Sequence, residues 1–246
     1  MIEFVGFSKK YNGARDFSVQ NVNLTARRGC ITGLLGVNGA GKSTLLKAVC
    51  ALHYATEGNV LVSGDDEGSP VDVQKNPHAA LQLVGYMPED ASLPENLYAA
   101  EYLYGVLGMA RPSFTEDEKM NRVREVLREC LIQDASEKKI RALSKGYRQR
   151  VLLCAALVAE PGNVILDEPT NGLDPAQIIQ FRSIVKKIAE TRTVLLSTHI
   201  MQEVEALCSQ IYILHERTIA AAGSPAFLKA QFGADSIENV FLKVST

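Results

Sequence analysis

Residues 36–44 read GVNGAGKST. Gly36, Gly41, Lys42 and Ser43 meet the pattern G-x-x-x-x-G-K-[ST], with Asn38, Gly39, Ala40 and Thr44 filling the loop and the turn that follows it. Glycines let successive N–H groups converge on one point, and a helix beginning there adds partial positive charge, so the segment suits the oxygens of a di- or triphosphate. Lys42 is expected to reach the β- and γ-phosphates and Ser43 to ligate Mg2+. Each charge-assisted bond to phosphate contributes about 1.5–3 kcal/mol. A second segment, NVILDEP at 163–169, is an apolar strand ending in two carboxylates. Asp167, at the strand edge, can hold Mg2+ beside the phosphates. Glu168, one residue on, is placed to polarise a water for attack on the γ-phosphate, the step that separates hydrolysis from binding. The plainer alternative is a pair of acids that cap the next turn.

These groups need elements that carry them to one place. ITGLLG precedes a helix from about Lys42, NVILD a helix from Asp174, and TVLLST a helix from about Ile200. Such alternation predicts an α/β domain with buried parallel strands. The first 28 residues and NVLVSG read instead as antiparallel strands with a polar face. Between about 90 and 160 strand signals vanish, while Met120, Val123, Leu127, Cys130 and Leu131 recur at helical spacing. A helical subdomain inserted between two core strands is expected there. Asp174-Pro175 and Ser224-Pro225 each pair a capping side chain with Pro at the first helical position.

The chain has 246 residues, 46% apolar and 22% charged, which predicts a folded protein of one to two units at about 150 residues each. A net charge of −2 supplies no overall positive field, so nucleic acid is not expected as a principal partner. The longest uninterrupted apolar stretch, Val151 to Ala159, has nine residues against the roughly 20 that cross a bilayer, so no direct membrane span is expected. MIEFVGFSKKY lacks the pattern of a secretory signal, and a cytoplasmic location is the expectation. Cys30, Cys50, Cys130, Cys154 and Cys208 form no CxxC pair and read as reduced core residues.

Residues 143–150, LSKGYRQR, resemble the signature LSGGQ followed by RQR, shortly before the acidic strand end. On these motifs the chain resembles the ATP-binding cassette (ABC) ATPases that power transporters. The resemblance implies an α/β fold: a P-loop NTPase core of RecA-like type with an antiparallel β subdomain and an inserted α-helical subdomain at about 90–160, in a single domain over 1–246. It further implies ATP and Mg2+ as ligands, ATP hydrolysis, and a head-to-tail homodimer. In that dimer Ser144, Lys145, Gly146 and Tyr147 of one copy face the γ-phosphate bound by the other. The chemistry is coherent, since Ser144 is a good N-cap and a helix start favours an anion. Tyr11 matches the aromatic that stacks on adenine, Asp174 in NGLDP matches the D-loop, and His199 after TVLLST matches the switch histidine near the γ-phosphate. The plainer alternatives are a surface tyrosine at Tyr11 and an ordinary strand-end residue at His199.

Three departures refine the resemblance. In GYMPED, Glu89 stands where the family has the Q-loop Gln, a further candidate Mg2+ ligand that can accept a hydrogen bond but not donate one. Lys145 and Tyr147 replace Gly and Gln of the signature, a pattern similar to ABC-2 type export ATPases. STHIMQEVEALC and DPAQIIQFR are similar to gliding-motility-associated members of that branch. A transport ATPase implies a separate transmembrane permease, which would hold the chain on the inner face of the cell membrane. Leu93, Leu97, Tyr98, Tyr102 and Tyr104 offer an aromatic-rich face for a helix of that partner, unless the stripe packs inside its own domain. The other reading is a soluble or assembly and motility ATPase in which nucleotide binding organises a complex without transport.

Overall fold

The burial pattern of each strand says which sheet it joins. In the computed structural model, which describes residues 1–64 and 68–245, β1 (Ile2–Lys9) and β2 (Val19–Ala26) bury Ile2, Phe4, Phe7, Val19, Val22 and Leu24, and β2 turns Gln20, Asn21 and Asn23 outward. The chain continues through β3 (Ile31–Leu35), α1 (Lys42–Val49), β4 (Glu57–Val62), β5 (Val71–Asp72), α2 (Pro77–Leu81) and β6 (Val84–Met87). Helices α3 (Ala99–Ala110), α4 (Glu116–Glu129) and α5 (Lys145–Leu157) follow without a strand among the described residues. Then come β7 (Asn163–Asp167), α6 (Pro175–Ala189), β8 (Thr193–Thr198), α7 (Met201–Leu207), β9 (Gln210–His215), β10 (Thr218–Gly223), α8 (Pro225–Phe232) and α9 (Ile237–Val244).

Two sheets result. The antiparallel one runs in the order β2-β1-β4-β5, and the larger one in the order β10-β9-β3-β8-β7-β6 with only β10 antiparallel to its neighbour. Every residue of β3, β7 and β8 is buried, as parallel strands covered on both faces require. Helix α1 lies between the sheets: Leu45, Leu46 and Val49 share a core with Phe4, Phe7, Val60 and Val62 on one side and Ile165 and Leu195 on the other. The second core joins the opposite face of the parallel sheet to α3, α4, α5 and α6.

Arg122 of α4 crosses into that second core, where it is 5% exposed. Its Nε donates to the Val158 carbonyl at 3.1 Å and its Nη2 to the Leu157 carbonyl at 3.0 Å, satisfying carbonyls that the end of α5 leaves open. Nη1 meets Glu129 at 2.9 Å.

The apolar stripe expected over 120–131 is only partly a core stripe. Val123, Leu127 and Cys130 are buried, whereas Met120 is 46% and Leu131 51% exposed. Leu131 has left the helix, with φ at 57°, and Met120 lines an open cavity of about 530 Å³ between α3 and α4. The presumed docking face is also divided. Tyr98, preceding α3, is exposed, while Leu93, Tyr102 and Tyr104 pack against the core, and Leu97 is half-buried. All five cysteines are free thiols, four of them buried and Cys30 partly open. Among the described residues no helix is long and apolar enough to cross a membrane.

Candidate active site

The register of the parallel sheet assembles the site. Leu35 pairs with Thr198 and Asp167 with Ser197, so β3, β7 and β8 all end at one edge. The chain leaving each strand there carries the glycine loop, Glu168 and His199, at the carboxyl ends where open α/β sheets bind ligands. Gly41 begins α1 with φ at 109°, a value an L side chain resists, and a Cβ there would collide with Val19. Since glycine brings no capping side chain, the first N–H groups of α1 stay open to an anion. Gly36 is required by close approach: a Cβ would lie 2.8 Å from the Leu214 carbonyl.

Lys42 is buried, and its ammonium donates to the carbonyls of Gly36 at 2.7 Å and Val37 at 3.3 Å. The same nitrogen lies 3.7 Å from Glu168 Oε1. The other oxygen, Oε2, is 2.9 Å from His199 Nδ1 and accepts the His199 backbone N–H at 3.3 Å. Glu168 itself sits at φ 45°, a conformation that costs a non-glycine residue about 1–3 kcal/mol and holds only where neighbours enforce it. Here its N–H donates to the Ser197 carbonyl at 2.9 Å, and Gln149 Nε2 of α5 donates to the Pro169 carbonyl at 2.9 Å.

Asp167 is 3% exposed, and its Oδ1 has no hydrogen-bond partner. Burial pushes its carboxyl above the usual carboxylate range; the Ser197 hydroxyl opposes the rise, and the charges of Glu168 and Glu89 add to it. The Tyr86 phenol, 3.5 Å from Oδ2, is pushed up by its own burial and then by Asp167. An orphaned buried oxygen with the Ser43 hydroxyl acting on the same carboxylate fits a hard cation. No cluster of three His, Cys, Asp or Glu set to hold a metal occurs among the described residues. Mg2+ needs none, since it is bound by one or two carboxylates together with phosphates and waters.

A cavity of about 210 Å³ opens between these groups, lined by Asn38, Gly39, Lys42, Ser43, Glu89 and Glu168 among others. Thr44 lines it too, with its Oγ1 3.0 Å from Ser18 Oγ, while Ala40 is buried beneath the loop. The fold thus gathers the glycine loop, Glu89, Asp167, Glu168 and His199. Tyr11 stands apart from that cavity on the turn after β1, 42% exposed, edge-on to His53 at 5.5 Å with the Lys9 ammonium 5.2 Å from its ring centre.

The LSKGYRQR segment lies elsewhere again. Ser144 caps α5 by accepting the Tyr147 N–H at 3.4 Å, and Ser144 and Lys145 are exposed. Gly146 is buried against the Gln177 side chain, and the Tyr147 hydroxyl donates to Asp134 at 3.2 Å. None of the four lines the glycine-loop cavity of its own chain. The Asp174 carboxylate caps α6, accepting the Gln177 N–H at 2.9 Å. Reading by motif assigned no role to Gln149 or to the Asn171 side chain. Their only signal is position, Gln149 inside RQR and Asn171 just past the acids.

A sequence profile described as ABC transporter matches residues 19–171. Escherichia coli YbhF, a probable multidrug ABC transporter ATP-binding protein, is 34% identical over 99% of this chain and 41% of its own length. LptB of the same organism, the lipopolysaccharide export system ATP-binding protein, is 32% identical over 89% of this chain and 88% of its own. The chain spans 4% and 41% of the first curated relatives it matches. A solved structure described as the ATP binding subunit of an ABC transporter superposes with a TM-score of 0.84 at 28% identity, covering 99% of both chains. With its strand-loop-helix cradle, paired strand-end acids and signature helix in this arrangement, the chain belongs to the ABC transporter family, as an ATP-binding cassette.

Proposed function

We propose that this chain is the ATP-hydrolysing subunit of an ABC-2 type exporter, a single cassette that closes as a homodimer on ATP and drives a separate membrane permease. One observation carries the reading: Lys42 and His199 hold opposite oxygens of a buried Glu168 at the mouth of the glycine loop. His199 occupies Oε2, so Oε1 is the oxygen that accepts a proton from the attacking water, and the imidazole fixes the carboxylate's direction. When the triphosphate enters, its charge draws Lys42 from the loop carbonyls, and the amides of residues 39–44 take the phosphate oxygens. Asp167 and Ser43 would hold Mg2+, which when bound neutralises charge on the β- and γ-phosphate oxygens. Glu89 faces the same cavity as a further oxygen donor. Catalysis is positioning and electrostatics, with Tyr11 stacking on the base.

The exposed capped start of α5 supports the homodimer: Ser144 and Lys145 are exposed, line no part of their own glycine-loop cavity and can meet the γ-phosphate of a second copy, together with Gly146 and Tyr147. Asp174, on the neighbouring loop, shapes that contact by capping α6. The names of YbhF and LptB, one multidrug and one export, favour export and attachment to the inner membrane face through a permease. Phosphate release from MgATP by the purified chain tests the reading. Ser144→Arg is expected to cut that release about tenfold or more while a fluorescent ATP analogue binds the isolated chain with unchanged affinity. Equal release by the variant would remove the trans contact.

Tyr98 is the exposed member of the aromatic set and the point offered to the permease. Tyr98→Ala should reduce co-purification with the membrane subunit by severalfold, as removal of an aromatic anchor does, and leave nucleotide affinity intact. Undiminished co-purification would place the docking surface elsewhere.

A further inference from the structure

Glu89 and Asn171 reach the site from separate strands. Glu89 lies two residues beyond β6, and Asn171 lies in the turn after β7. The Asn171 side-chain amide donates to Glu89 Oε1 at 3.1 Å, across 82 positions of sequence. The backbone N–H of Asn171 donates to the Glu168 carbonyl at 3.2 Å, closing the turn over 168–171. That turn is the one braced by Ser197 at Glu168 and by Gln149 at Pro169. A single rigid turn therefore sets the general base by its first residue and the Glu89 carboxylate by its last.

The chemistry explains why a donor belongs there. A carboxylate only accepts, so Glu89 at the wall of an acidic cavity has no N–H of its own to fix its rotamer. Asn171 supplies one. It claims Oε1 and leaves Oε2 for the cavity that Glu89 shares with Lys42, Ser43 and Glu168. Both side chains are exposed in the single chain, so the bond contributes little to folding, and its value lies in direction rather than stability.

We infer that Asn171 is a positioning residue that acts through Glu89, locking the carboxylate beside the phosphate site to the turn that carries Glu168. The inference rests on the hydrolytic function proposed above. Asn171→Asp sets two carboxylates at hydrogen-bond distance, whereas Asn171→Asp with Glu89→Gln restores one amide and one carboxylate with donor and acceptor exchanged and the net charge unchanged.

The test compares wild type, Asn171→Asp, Asn171→Ala, Glu89→Gln and the Asn171→Asp/Glu89→Gln double variant. Asn171→Asp is expected to lower kcat about tenfold with KM for ATP within about twofold, and the double variant to fall within about threefold of Glu89→Gln alone, as coupled neighbours do. Asn171→Ala, which removes the donor without adding charge, should also lower kcat. A second readout needs no turnover: the Mg2+ concentration giving half of the ATP-induced rise in melting temperature should increase in Asn171→Asp and return in the double variant. The melting temperature without nucleotide should stay constant across the set. Equal losses from Asn171→Asp in both backgrounds, or full activity of Asn171→Ala, overturn the inference. A wild-type chain that releases no phosphate overturns the hydrolytic function instead, and the Mg2+ titration still judges the Asn171–Glu89 pair by itself.

Discussion

Glu168→Gln is expected to lower phosphate release from MgATP by at least about 100-fold, within the range for loss of a positioned general base, while nucleotide binding survives and the ATP-bound dimer accumulates. The amide keeps the length of the side chain and can still meet the His199 backbone N–H, which now donates to its oxygen, so the left-handed turn at 168 need not change. What the amide lacks is basicity at the position of Oε1. It also lacks the charge that faces Lys42 at 3.7 Å, so Lys42 is left to the phosphates and binding does not suffer. Single-turnover hydrolysis and gel filtration with ATP and Mg2+ check both halves. Turnover within about tenfold of wild type would mean that the base is another group.

The second large effect is on folding. Arg122→Ala should cost about 3–5 kcal/mol of stability, because it leaves buried acceptors without their donor rather than simply deleting a charge. The Leu157 and Val158 carbonyls at the end of α5 lose their partners, and Glu129 loses the cation 2.9 Å away. Lysine is no substitute, since one ammonium cannot reproduce the planar fork that meets two carbonyls and a carboxylate at once. At roughly 2–4 °C per kcal/mol for a chain of this size, the melting temperature should fall by about 6–20 °C. A loss under about 1 kcal/mol in urea unfolding would show that water or a rearranged side chain fills the place of the guanidinium.

What could be read without coordinates follows from how local each requirement is. The glycine loop, the strand before it and the helix after it are contiguous, so one short segment specifies a phosphate cradle. The capped starts at Asp174 and Ser224 are likewise local, as each side chain bonds a backbone N–H three residues on. The core strands were legible because β3, β7 and β8 each carry a short apolar run, GLL, VIL and VLL, inside a fully buried strand. The contacts that tune the acid were not legible, because Gln149 meets Pro169 across 20 residues and Asn171 meets Glu89 across 82, and no periodicity links either pair. The stripe at 120–131 gave the helix but not the burial of each of its residues. Helical spacing says which residues share a face, but not where the helix stops or whether another element covers it: Met120 and Leu131 fit the spacing and are exposed.

The matching ends of β3, β7 and β8 carry a further consequence. At the Val, Ile and Leu positions of these strands the fold asks mainly for apolar bulk, and exchanges among the three are absorbed at small cost. Their length is another matter: gaining or losing one residue in β8 would turn the imidazole that follows it toward the opposite side of the sheet and part it from its carboxylate. Descendants of this gene can therefore drift widely in spelling at those apolar positions, yet an insertion or deletion of a single codon there would take the site apart.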